Sequence, residues 1–478
     1  MPQRGNSLPT LGLSRRVEVR FSPARWALPV WSGGDTTTSS TLQVTCSVAK
    51  PPTPQLSSCK AKKEELPIMN NKLHKKILIL AFVAFIITTP IITFILIPNR
   101  PDFSENENRF KATYVSPDFV GYFRHFFSAT NNRPNNIRNR QFMERFDEWF
   151  ADRFMMREDF IILQNRLERL RGKTKINGVY TVGDQMLLSW SDYPETSANL
   201  PYTLNAVNNF AWHMSENYGA NSYIMLIPTA VEIKRNLLPP NAQVVDQIAF
   251  NNRIFDALEH LTSIDVSTIL SQNTDSYIFY RTDHHWTSFG SYLGYVAAGE
   301  RMGFTPFTLG QFDVEHASSD FRGTLFSKTL DFSITPDVIS FFTLNENVLP
   351  NSGKPELTIH TGSETFKRDT FFFREHLQKK DQYRAFMGGN FPIVEIKTDL
   401  NLADRENERS LLVFKDSFAH SMLPFLANHY SRITVLDMRF INADIRNWIE
   451  LSNYDEVLFL YSTTKFVECN DLMRIIID

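Results

Sequence analysis

The sequence predicts an α/β fold, a parallel sheet covered by helices, carried behind a single N-terminal transmembrane helix. Three observations predict it. The C-terminal stretch reads strand, helix, strand, helix, strand in the order SLLVFK, DSFAHSMLPFLANHY, RITVLDM, ADIRNWIELSN and EVLFLYS, the pattern of parallel strands joined by crossover helices. Upstream, SYIMLIP (Ser222–Pro228) is a continuous apolar run with polar flanks, as a strand buried on both faces requires. Near the start, Ile77–Ile97 is 21 residues without a charge, enough to cross a hydrocarbon core of about 30 Å as a helix.

Composition sets outer limits. The chain has 478 residues, with 50 Lys and Arg against 52 Asp and Glu, which excludes a nucleic-acid partner held by bulk charge. A 42% hydrophobic and 21% charged content is that of a globular chain. Three cysteines, Cys46, Cys59 and Cys469, cannot make a disulfide framework or a four-thiolate metal site. No cofactor and no metal is expected.

Residues 1–68 hold only one of the 40 Phe, Phe21, and two of the three Cys, in a Ser, Thr, Pro and Gly-rich run without apolar period. The expectation is a non-native or disordered extension ahead of an authentic start at Met69, with a genuine cytoplasmic tail as the alternative; either way it is set aside from the fold. Lys72, Lys75 and Lys76 precede the apolar run, and Asp102, Glu105 and Glu107 follow Arg100. Basic residues stay inside, so the N-terminus is expected in the cytoplasm and the main domain outside the cell membrane. A cleaved signal peptide is the rival, but the run is long for one and no small-x-small site follows.

Residues 100–200 read as a stalk and a helical and hairpin region. Asn131–Asn139 is a polar loop. A helix is expected over Arg140–Arg171, with Phe142, Phe146, Trp149, Phe150, Phe154, Ile161, Leu163, Leu167 and Leu170 as core at helical spacing. Asn177–Trp190 reads as a hairpin turning at Gly183-Asp184. The α/β domain follows over 201–478: helix Leu204–Tyr218, the strand at Ser222, helix Val245–His260, strand Ser276–Arg281, and a helix through SYLGYVAAGERMG. An irregular, β-rich insertion is expected at about 304–400.

Ligands of parallel sheets sit at the carboxyl ends of the strands, and two such ends carry reactive groups. At Lys415-Asp416-Ser417-Phe418 a strand turns into a helix. Ser417 is there either a nucleophile beside free backbone N–H groups or a plain helix N-cap. At Asp283-His284-His285-Trp286, side chains two apart in an extended segment face the same way. Asp283 can then orient His285 and stabilise its charged form, as a serine nucleophile's base requires. His284 would point to the opposite face.

TDHHWTSFGSYLGY, FMGGNFP and LLVFKDSFAHSMLPFLANHYSRITVLDMRF resemble, in order and spacing, the DHHW protein family. That family is similar to the SGNH hydrolase-like proteins of alginate O-acetylation, the J and X types. The resemblance implies a three-layer α/β/α fold with permuted motif order, Asp283 and His285 preceding the nucleophile Ser417. It implies O-acyl or O-acetyl transfer, or ester hydrolysis, on a cell-surface or exported polysaccharide, with a membrane-bound O-acyltransferase as possible partner. Gly389 and Asn390 are candidate oxyanion donors or a plain turn, and Arg281 and Lys415 candidate substrate contacts or strand-flanking charges. Two other functions stay open: a non-catalytic glycan-binding or scaffold protein, and a metal-dependent phosphoesterase using the Asp-His-His triple, with Asp265 and His316 as further ligands.

Overall fold

The computed structural model describes residues 71–96, 101–113, 145–190, 197–350, 354–398, 409–468 and 470–475. The expected extension at 1–68 and the loop at 131–139 lie outside these residues. Helix α1 (Asn71–Leu96) contains Pro90 and exposes its apolar side chains on all sides. It is the one helix among the described residues long and apolar enough to cross a membrane.

The helix expected over Arg140–Arg171 is two pieces. Residues 145–153 are helical, the chain breaks at Phe154–Met156, and α2 (Arg157–Leu170) restarts after Met156 in the left-handed region at φ 57°. An unbroken apolar pattern had concealed the break. The hairpin does turn at Gly183-Asp184, with Val182 opposite Gln185.

The centre of the molecule is an eight-stranded sheet built from β1 (Asn221–Ile227), β2 (Thr262–Ile264), β3 (Pro355–His360), β4 (Thr365–Arg368), β5 (Ile393–Thr398), β6 (Ser410–Lys415), β7 (Arg432–Leu436) and β8 (Glu456–Ser462). Its order is β4-β3-β5-β7-β6-β8-β1-β2. The five strands β7, β6, β8, β1 and β2 are parallel. The other three join antiparallel. The sheet is therefore mixed, and the region expected as an insertion supplies the strands that cover the open backbone edge of β7.

Alternation along the strands makes two cores. Leu411, Val413, Leu458 and Leu460 face one, while Leu412, Phe414, Val457 and Phe459 face the other. Helices α3 (Leu200–Tyr218) and α4 (Gln247–Asp256) cover the second face through Val207, Phe210, Phe250 and Ile254. Helix α5 (Ser288–Met302) covers the first through Tyr292, Leu293, Tyr295 and Ala298. This is the three-layer α/β/α arrangement. The Phe-rich composition is spent here: Phe414 and Phe459 stack at 4.8 Å, with Phe210 edge-on to Phe414.

Two expected crossover helices shrink to single turns. Ser417–Ser421 is 3-10 and continues as the four-residue helix Leu423–Leu426, while the ADIRNWIELSN stretch holds only the turns Ile445–Asn447 and Leu451–Asn453. In the latter, Asp444 accepts a hydrogen bond from the Arg446 backbone, a local alternative to helix.

Candidate active site

Ser417 follows the carboxyl end of β6. Asp416 takes the capping position: its Oδ1 accepts from Phe418 N at 2.9 Å and its Oδ2 from Ser462 N and Oγ at 2.8 and 2.7 Å. That ties the ends of β6 and β8 together and leaves the Ser417 hydroxyl free of capping. The N-cap alternative thus falls to Asp416, and among the described residues no acceptor takes the Ser417 backbone N–H.

The hydroxyl of Ser417 lies 2.7 Å from His285 Nε2, and His285 Nδ1 lies 2.5 Å from Asp283 Oδ1. Asp283 also accepts from His285 N at 3.0 Å, and through Oδ2 from Thr324 N and Oγ1 at 2.8 and 2.9 Å. Burial opposes a charge on Asp283, but the two imidazoles and the Thr324 donors outweigh it and hold its carboxyl well below the usual range. An ionised Asp283 accepts the Nδ1 proton, so Nε2 is the acceptor for the Ser417 hydroxyl.

This alignment does not arise from strand alternation. Residues 281–285 form bends, and Phe279 meets only Trp286 in an isolated bridge, so Ser276–Arg281 is not a strand of the sheet. Asp283 and His285 meet because the carboxylate closes a tight turn onto the His285 backbone. In a bend the period of two fails, and His284 is accordingly not on the opposite face. Its ring centre sits 3.8 Å from that of His285, it bonds Thr324 Oγ1 through Nδ1 at 2.7 Å, and it lines the same cavity. Burial, and next the neighbouring His285, push His284 down to about 4, so it is neutral near pH 7.

Three supports complete the row. The Trp286 indole N–H donates to Phe418 O at 2.9 Å, clamping the bend to the serine turn. The Tyr383 ring stacks on His285 at 3.8 Å and 6°, and its hydroxyl donates to Ser417 O at 3.0 Å. Gly323 admits Asp283, since a Cβ there would lie 2.3 Å from Asp283 Cβ. Tyr383 and Gly323 come from the irregular region between 304 and 400, where, outside FMGGNFP, neither period nor motif singles out a residue.

Gly389 and Asn390 line the cavity. Gly388 and Gly389 both have positive φ, 77° and 125°, and a Cβ on either would press within 3 Å of Phe373 or Arg384. Asn390 Oδ1 accepts from Lys415 Nζ at 3.2 Å and Arg439 Nη2 at 3.0 Å. Both cations are held by Asp437, at 2.8 and 2.6 Å. With its oxygen so occupied, Asn390 turns its amide nitrogen away from the cations. Lys415 is buried and also meets His420 at 2.8 Å, so it positions Asn390 and is closed to substrate. Arg281 is a second correction: it pairs with Asp184, lies over the Tyr277 ring and does not line the cavity. The cavity itself measures about 480 Å³ and reaches Trp190, Arg439 and Lys465.

Asp283, His284 and His285 are close enough together to be considered as metal ligands. Their donors, however, engage each other and Thr324, and the further ligands expected are elsewhere: Asp265 bonds Ser267 and Thr268, and His316 bonds Ser340. The donor set does not fit a two-metal phosphoesterase.

An eight-stranded mixed sheet between two helical layers, with a hydroxyl–imidazole–carboxylate row beside the carboxyl end of β6, is the arrangement of an SGNH hydrolase-like α/β protein. A model of the DHHW protein family matches residues 173–436, more than half of the chain, and the protein belongs to that family. A DHHW family protein from Eubacterium siraeum shares the fold at 23% identity and a TM-score of 0.53, over 63% of this chain and 95% of that one. Bacillus cereus PatB1 with a sulfonyl adduct shares it at 19% identity and a TM-score of 0.50, over 60% and 95%. The O-acetyltransferase domain of Pseudomonas putida AlgJ lies further off, at 14% identity and a TM-score of 0.37 over 61% and 93%. No curated protein sequence matches significantly.

Proposed function

We propose that this protein is a membrane-anchored, extracytoplasmic serine O-acyltransferase or esterase, acting on acetyl or other acyl esters of a cell-surface or exported polysaccharide. The observation that carries the reading is the unbroken row from Ser417 Oγ through His285 to Asp283, opening into a cavity large enough for a sugar ester.

In this reading Ser417 Oγ attacks the acyl carbonyl carbon while His285 Nε2 takes the hydroxyl proton. The carbonyl oxygen becomes an oxyanion, met by the Ser417 N–H and the Asn390 amide nitrogen, with Gly389 shaping the approach. Collapse breaks the ester bond, and the leaving oxygen takes the proton from His285. A sugar hydroxyl then gives its proton to His285 and attacks the acyl-serine; the ester bond to Ser417 breaks and Ser417 Oγ takes that proton back from His285 Nε2, while water in place of the sugar makes the reaction a hydrolysis. Asp283 stays ionised throughout and stabilises the imidazolium. A membrane-bound O-acyltransferase is the proposed acyl supplier, and α1 the anchor that keeps the domain outside the cell with the N-terminus in the cytoplasm.

The test is turnover of an acetyl ester by the purified chain, with Ser417→Ala and His285→Ala, and mass spectrometry of the Ser417 peptide after brief exposure. Loss of turnover in both variants and an acylated Ser417 are expected. Undiminished turnover in Ser417→Ala, or its loss to a chelator, overturns the reading, and glycan retention without turnover points to the scaffold alternative.

A further inference from the structure

Helix α2 presents its two faces in the reverse of the order a water-soluble domain uses. Its polar side chains dock on the body: Asn165 Nδ2 donates to Thr329 O at 2.6 Å, Arg169 pairs with Asp331, and Glu158 accepts from Ser104 and Asn106 at 2.9 and 2.7 Å. Its apolar side chains face out, with Phe160, Leu163, Leu167 and Leu170 exposed by 41, 52, 48 and 84%. At about 100° per residue the four fall in one sector of about 80°. This is a stripe, and not the scatter of single apolar residues every surface carries.

The stripe runs on into α1. Phe150, Phe154, Phe160 and Ile161 share an apolar groove with Phe85 of α1, and Met155 N donates to Thr93 Oγ1 at 3.3 Å. Arg166 and Arg171 are exposed at its margin, where cations meet anionic headgroups. We infer that the apolar face of α2 lies in the interface of the bilayer that α1 crosses, so that α2 is a second membrane contact of the exported domain. This rests on α1 being the anchor. The contact bears directly on the cavity, because the short helix Thr324–Thr329 holds Asp283 at one end through Thr324 and receives Asn165 of α2 at the other. The contacts to α2 and to the carboxylate thus sit at opposite ends of one six-residue helix, which fixes the height and tilt of the cavity over the membrane.

The experiment uses the full chain with Cys46, Cys59 and Cys469 replaced by serine. An environment-sensitive fluorophore is attached at Leu167→Cys on α2, at Ile79→Cys on α1, or at Glu364→Cys on a distant exposed turn. Each is reconstituted in phosphatidylcholine–phosphatidylglycerol vesicles carrying shallow or deep nitroxide lipids. The Leu167 probe is expected to lose emission at least about twofold to shallow nitroxides, as is the Ile79 probe near the cytoplasmic end of the span, and the Glu364 probe to neither shallow nor deep ones. A Leu167 probe in water beside a quenched Ile79 probe overturns the inference and leaves the anchor standing. A Leu167 probe shielded from both water and lipid identifies a protein cover, from this chain or a second copy, and also overturns it. Quenching at Leu167 without quenching at Ile79 supports the contact and removes the anchor.

Discussion

Replacing Gly323 by alanine adds one methyl group at a residue that touches no substrate, and it should disable the site. A Cβ at 323 would lie 2.3 Å from Asp283 Cβ and 2.4 Å from Oδ2. Carbon atoms settle at about 3.5–4.0 Å, so Asp283 or the Thr324 turn must retreat by more than about 1 Å. Retreat of Asp283 breaks the 2.5 Å contact with His285, and with it the orientation of the ring toward Ser417. A misplacement of about 1 Å costs roughly 10²-fold in rate, and forcing a methyl into a packed site costs about 1–3 kcal/mol of stability. The backbone at 323 is extended, with φ −83° and ψ −157°, so the effect is steric alone. Gly310→Ala is the control, since nothing lies within 4 Å of its Cβ. The assays are acetyl-ester hydrolysis and thermal unfolding of the full chain in detergent. If Gly323→Ala matches Gly310→Ala in both rate and melting temperature, the packing of Asp283 does not govern the site and the reasoning is refuted.

Asp283→Asn should leave the chain folded yet reduce hydrolysis by up to about 10⁴-fold, because an amide no longer fixes the Nδ1-protonated ring; parity with wild type in steady-state kinetics counts against the alignment. Lys415→Met removes one donor each from Asn390 and Asp437 while Arg439 still pairs with both, and should cost about 1–3 kcal/mol; an unchanged denaturant midpoint contradicts that. Trp286→Phe deletes the indole donor to Phe418 O and the outer ring packed over Gly294, a loss of more than about 1 kcal/mol that thermal unfolding will show. Acid stability follows from two depressed carboxyls. Burial opposes the charge on Asp437 too, but Arg439 and Lys415 hold it low. Their stabilisation is fully present above the unfolded carboxyl value of about 4 and is lost as pH falls through the depressed folded values. Melting temperature is therefore expected to be flat from about pH 8 to 5 as far as these two groups decide it, and to fall in acid, less steeply in Asp437→Asn.

Some of this was written in the chain itself. A short continuous apolar run with polar flanks reads as a strand buried on both faces, so β1, β6, β7 and β8 and the layers around them were readable locally, as was the charge-free length of α1. The Asp-x-His spacing and the serine after β6 were equally local. The period of two, however, gave the right partners for the wrong reason: Asp283 and His285 meet through a hydrogen-bonded turn, and His284 joins them in the cavity. What no window of sequence contains is which distant backbone arrives beside a given side chain. Tyr383 over His285, Gly323 beside Asp283, Asp437 steering Lys415 and Arg439 onto Asn390, and the outward apolar face of α2 all depend on contacts between segments tens of residues apart. Local pattern reports which side of an element avoids water. Only the folded chain decides what lies against it, because close packing and charge pairing act on distance in space and not on distance along the backbone.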